Sequence, residues 1–96
     1  MYGLIGRIRA VAGRRDELSK ILSHVGPMPG CLSYVVALEV SDPHALWVTE
    51  VWESAEAHAA SLRLPNVQAA IERGRPFIAS FDQRIETTPV GRIGMR

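Results

Sequence analysis

The chain opens on an alternation. Across residues 2–12 (YGLIGRIRAVA), Leu4, Gly6, Ile8 and Ala10 fall on one side and Ile5, Arg7, Arg9 and Val11 on the other. A period of two predicts a β-strand, which Gly13 ends. The period then changes: Leu18, Ile21, Leu22 and Val25 stand at i, i+3, i+4 and i+7, the apolar stripe of an amphipathic helix. Asp16 and Glu17 lie in its first turn, where negative charge meets the positive end of the helix dipole. Gly26-Pro27-Met28-Pro29-Gly30 stops it. Residues 31–41 (CLSYVVALEVS) predict a second strand, Ser41-Asp42-Pro43-His44 a turn, and 45–53 (ALWVTEVWE) a third strand, so 31–53 forms a hairpin. Ser54 is an N-cap for a short helix to about Arg63. Pro65-Asn66 restarts a helix with Val67, Ala70, Ile71 and Gly74 on one face, and Pro76 ends it at Arg75. Residues 79–88 (ASFDQRIETT) predict the last strand.

The order is βαββαβ, with the second helical region broken in two. That is an α+β fold, an antiparallel sheet with its helices on one face. The second strand is apolar on both sides, with Val36 and Leu38 on one and Val35 and Ala37 on the other. Trp47 and Trp52 also point to opposite sides of the third. A sheet wetted on one face shows a cleaner polar alternation. Helices cover only one side, so a second copy of the chain is expected on the other, making a homodimer.

Ninety-six residues make one domain, with a core over about 2–90 and a short tail at 91–96. Eleven basic side chains oppose ten acidic ones for a net charge of +1. No one-signed field is available to gather nucleic acid or an anionic membrane surface. The single Cys31 excludes an internal disulfide or a multi-thiolate zinc site. The longest apolar run, Tyr34 to Leu38, falls far short of the ~20 residues of a membrane helix. The opening Met1-Tyr2-Gly3-Leu4-Ile5 lacks the basic n-region of a secretory signal, so the expectation is a soluble, cytoplasmic protein.

The chemistry concentrates in residues 30–61. Glu50 and Trp52 share one face of the third strand. His58 follows six residues after Trp52, and Ser61 shares its helical face. A pocket between this strand and the helices would bring together an aromatic wall of Tyr34 and Trp52, the His58 imidazole, Ser61 and the Glu50 carboxylate. Imidazole is the side chain that exchanges protons near neutral pH. Plainer roles stay open: Tyr34 and Trp52 suit a core, His58 a structural hydrogen bond, Glu50 a buried acceptor. No glycine-rich phosphate loop, nucleophile elbow or histidine-metal spacing is present, so neither an organic cofactor nor a metal is expected.

Gly30-Cys31-x-x-Tyr34, the Asp42-Pro43 turn, and Glu50-Val51-Trp52-Glu53-Ser54 followed by Glu56-Ala57-His58 resemble the antibiotic biosynthesis monooxygenase family. Ser61-Leu62, Leu64-Pro65-x-Val67, Arg75-Pro76 and Thr87-Thr88-Pro89-Val90-Gly91 extend the resemblance to about residues 2–91. It implies ferredoxin-like monomers paired in a dimeric α+β barrel. It also implies oxygenase chemistry on quinols or polyketide-type anthrones without flavin, haem or metal. The partners would be a small aromatic molecule and O2, with His58 and Glu50 catalytic and Tyr34, Trp52 and Ser61 binding substrate. Two departures stand out: many relatives carry a histidine where this chain has Ser61, and the residues of haem-degrading relatives have no counterpart. A non-oxidative isomerase or cyclase, or a ligand-binding regulatory module, would use the same scaffold.

Overall fold

In the computed structural model, residues 1–94 are described; the last two residues of the expected tail lie outside them. The elements follow the expected order: β1 (Tyr2–Ala10), α1 (Arg15–Ser23), β2 (Cys31–Leu38), β3 (Ala45–Trp52), α2 (Ala55–Ser61), α3 (Pro65–Gly74), a single 3-10 turn (Arg75–Phe77) and β4 (Ile78–Thr87). The four strands form one antiparallel sheet in the order β2-β3-β1-β4. This is the ferredoxin-like arrangement, with the chain ends on neighbouring strands and all helices on one face.

Local chemistry accounts for the boundaries. The Ser54 hydroxyl accepts the Ala57 N–H at 3.1 Å and caps α2, while Pro65 opens α3 at a position that needs no N–H donor. The second strand ends at Leu38, three residues before the sequence pattern does. There the Arg15 guanidinium takes over, donating to the carbonyls of Glu39, Asp42 and Ala45 at 3.1, 2.7 and 3.1 Å. One side chain thus satisfies the tip of the β2–β3 hairpin and fastens it to the start of α1. At the other end of α1, Val25 falls past the helix, and Asn66 of α3 donates to the carbonyls of Val25 and Pro27, both at 3.0 Å. Gly30 has φ +84, and a Cβ there would lie 2.7 Å from that of Ala57. The start of β2 therefore passes tightly beneath α2, which fixes that helix over the sheet.

The core lies between the sheet and the helices, where Ile8, Ala10, Leu18, Leu46 and Val48 are buried with Leu22, Val36, Phe77 and Ile78 packed around them. Leu18 and Leu46 are 0% exposed. Trp47 and Trp52 do point to opposite sides, and Trp47 donates its indole N–H to Glu39 on the outer face at 2.8 Å.

That outer face carries a charge network built around Arg7. Its guanidinium reaches Glu39 at 2.8 Å, Asp42 at 3.1 Å and Asp82 at 2.6 Å, and Arg9 shares Asp42 at 3.0 Å. Hydrogen bonds from Arg7, and then from Trp47, pull the Glu39 carboxyl down from an ordinary 4.5 to about 2. In the unfolded chain Glu39 takes up its proton near the ordinary value, so its contribution is complete above about pH 4.5 and fades toward pH 2. Urea unfolding followed from pH 6 to pH 2 is expected to show falling stability through that window. Glu39→Gln should flatten the slope there, and an unchanged slope would count against the network as its source.

Candidate functional site

Antiparallel pairing puts directly opposed residues on one face, so the sheet floor beneath the helices can be read as three rows. The first runs Tyr34, Glu50, Leu4, Glu86; the second Val36, Val48, Gly6, Arg84; the third Leu38, Leu46, Ile8, Phe81. Above the first two rows lies a cavity of about 380 Å³. Its walls are mostly apolar, with Leu22, Val25 and Met28 on the α1 side and Leu62, Val67, Ala70 and Ile71 from the α2–α3 side. All five residues singled out from the sequence, Tyr34, Glu50, Trp52, His58 and Ser61, line it.

The polar groups gather at one end. Trp52, 1% exposed, donates its indole N–H to Glu50 Oε1 at 3.0 Å and so holds the carboxylate against the wall. His58 is set edge-on to Trp52, ring centroids 5.4 Å apart and planes at 70°. Tyr2, paired with Trp52 across β1 and β3, also meets the imidazole, with centroids 5.5 Å apart and planes at 33°, and the Tyr2 hydroxyl donates to Glu86 at 2.6 Å. Two aromatic rings thus fix the imidazole, and neither ring nitrogen has a hydrogen-bond partner among the described residues. Burial, and then the Glu50 charge, push the Tyr34 phenol up to about 12. It stays protonated and, with no protein partner among the described residues, has a donor to offer the cavity. Ser61, buried at the back, gives its proton to the His58 carbonyl at 2.6 Å, which leaves only its lone pairs for a ligand. Burial, and then the Glu50 charge, also raise the Cys31 thiol, which disfavours its thiolate. Among the described residues no three His, Cys, Asp or Glu side chains cluster as a metal-ligand set, and no helix is long and apolar enough to cross a membrane.

Three contributors escape a reading of the sequence: Tyr2, Gly6 and Arg84. Tyr2 gives no local signal, because its hydroxyl's acceptor lies 84 positions away. Gly6 did carry one, since a glycine inside a strand marks a place where another group approaches the backbone. A Cβ on Gly6 would meet only the Gln83 carbonyl, at 3.8 Å, so the bare strand here widens the cavity.

The family model described as antibiotic biosynthesis monooxygenase (ABM) matches residues 1–73. The chain belongs to the ABM family. A solved Chloroflexus aurantiacus protein named for the same family is 58% identical, covering 97% of this chain and 96% of that one, with a TM-score of 0.95. A Deinococcus radiodurans protein, also so named, is 25% identical over 98% of this chain and 97% of its own, at a TM-score of 0.80. One from Bordetella bronchiseptica, at 16% identity, 93% and 96% coverage and a TM-score of 0.79, shares the fold. No curated protein matches the chain. Within this ABM chain the family model ends inside α3, so the cavity wall supplied by β4 lies beyond the matched residues.

Proposed function

We propose that this ABM protein is a cofactor-independent monooxygenase of a small aromatic, quinol or anthrone-type substrate, using O2 directly. The observation that carries the reading is the His58 imidazole, packed against Tyr2 and Trp52 with both nitrogens unpartnered among the described residues and lining a mostly apolar cavity. Triplet oxygen reacts slowly with closed-shell molecules, but a phenolate or carbanion can give it one electron. His58 takes the hydroxyl proton of the bound ring, and the Tyr34 phenol donates a hydrogen bond to the resulting anion. Glu50, held by Trp52, orients the ring. One electron passes from the anion to O2, and the two radicals join in a carbon–oxygen bond. Loss of the ring C–H proton then breaks the O–O bond. One oxygen stays as the new carbonyl and the other leaves as water, so a hydroxyarene plus O2 becomes a quinone plus H2O. The substrate supplies all four electrons, and no outside reductant enters. Oxygen uptake by metal-stripped protein over a panel of quinols, naphthols and anthrones tests the reading. Saturable, protein-dependent uptake is expected; uptake no faster than the uncatalysed rate across the panel would sink it. A cytoplasmic setting suits the lone thiol.

The unit is proposed to be a homodimer joined through the outer sheet face. There Val35, Thr49, Ile5 and Ile85 line up in one row across all four strands. Val35 is 52% and Ile85 48% exposed, more apolar surface in one band than a wetted sheet face ordinarily shows. Sedimentation equilibrium at micromolar protein should give twice the chain mass, and Val35→Lys should shift it toward the monomer. A compact wild-type monomer would refute the pairing.

A further inference from the structure

We infer that the cavity selects a flat hydroxyarene bearing a carboxylate at the end remote from its hydroxyl, with Arg84 as the residue that reads the carboxylate. This rests on the cavity being an aromatic substrate site, and it adds the class of aromatic.

The cavity has one charged group at each end. Glu50 belongs to the first row of the floor on β3 and Arg84 to the second row on β4, and both line the cavity. Two strand spacings across and two residues along put their backbones roughly 12 Å apart. Between them the floor is Gly6, which stands directly beside Arg84 in the pairing and presents no side chain. A planar ring can lie there on bare backbone, flanked by Leu4 and Ile8. The two ends ask for opposite things. At the inner end the Glu50 carboxylate and the unpartnered His58 imidazole accept hydrogen bonds and so suit a hydroxyl, while Glu50 disfavours a second carboxylate beside it. At the rim the Arg84 guanidinium offers only donors.

Arg84 is held only loosely, by an exposed ion pair. The nearest acid is Glu86, whose Oε1 lies 3.9 Å from Arg84 Nη1, beyond hydrogen-bond length. The other oxygen of Glu86 is already taken by Tyr2 at 2.6 Å. The Arg84 guanidinium lies near the Tyr2 hydroxyl and works against the upward shift of that phenol, and its side chain is 59% exposed. A fork of this kind matches a carboxylate in two parallel hydrogen bonds. It is also the one cationic side chain among the described residues lining the cavity.

Calorimetric titration with three ligands tests this: 2-naphthol, 6-hydroxy-2-naphthoate, whose two groups lie at opposite ends of the ring system, and 3-hydroxy-2-naphthoate, in which they are adjacent. The wild type should bind the 6-hydroxy acid about tenfold tighter than naphthol. The adjacent isomer should gain nothing, because its carboxylate meets Glu50. In Arg84→Gln the ratio should collapse to about one, and in Arg84→Lys recover in part. Gly6→Val, with its fold checked by circular dichroism, should weaken all three ligands by filling the floor. Equal binding of naphthol and the 6-hydroxy acid, a preference that survives Arg84→Gln, or ligands indifferent to Gly6→Val would each overturn the inference. If none of the three binds, the aromatic site falls with it. Should the preference appear without oxygen uptake, the oxygenase reading fails alone and the carboxylate preference stands.

Discussion

Replacing His58 with alanine is expected to lower kcat for oxygen uptake by about 100-fold or more, the usual worth of a positioned proton acceptor, while KM changes little. The helix tolerates the change well, since α2 reads AEAHAAS and alanine is the strongest helix former. The side chain lost is half-buried, and its two aromatic neighbours stay anchored independently, Tyr2 by Glu86 and Trp52 by Glu50. A loss of turnover in a folded variant would therefore report on chemistry. His58→Gln sharpens the reading, because an amide fills the gap beside the rings and forms hydrogen bonds but accepts no proton. It should be as slow as the alanine variant. Added imidazole, small enough to occupy the vacated space, should restore part of the rate to His58→Ala and none to Glu50→Gln. A kcat within threefold of wild type in His58→Ala would remove the imidazole from the mechanism, whatever became of the oxygenase reading.

Trp52 separates wall from hydrogen bond. Trp52→Ala empties one of the largest fully buried side chains and should cost about 3–5 kcal/mol in urea unfolding, a large share of the roughly 5–15 kcal/mol that holds a domain together. Trp52→Phe keeps a ring in the same place but removes the indole N–H that holds Glu50 at 3.0 Å. It should cost only about 1–2 kcal/mol and yet lower kcat/KM about tenfold, because the carboxylate is free to swing. If Trp52→Phe were fully active, orientation of Glu50 by Trp52 would have no part in the reaction.

The sequence carried the element order because its periods change where the elements do, and because Ser54 and Pro65 mark helix starts by mechanisms that act within one turn. It also drew Glu50, Trp52, His58 and Ser61 together, since two-residue and three-residue spacings decide faces on strands and helices. Tyr34 entered as the aromatic of the second strand and through the Gly30-Cys31-x-x-Tyr34 resemblance, and the folded register sets it opposite Glu50. The fourth strand obeys no such local rule. Its partner is β1, at the opposite end of the chain, and the register shifts between Arg7 and Ile8. No count along the sequence reveals that Arg84 faces the cavity with Gly6 beside it. The hairpin tip is a further case. Glu39 looked like a strand position, but its carboxylate serves Arg7 and Trp47 and its carbonyl serves Arg15, all contacts that only the folded chain creates.

The two ties at either end of α1 bear on how a molecule would reach the cavity. Residues 26–30, Gly-Pro-Met-Pro-Gly, have the composition of a flap, and flaps are drawn from weakly held segments. Here Asn66 grips the flap's carbonyls while Arg15 anchors the far end of the helix leading to it. That wall is a fixed jamb. The mouth lies instead at the β4 margin, where Phe81 is 71% exposed beside Arg84. A molecule entering there passes Phe81 and Arg84 and leaves the tied segment undisturbed.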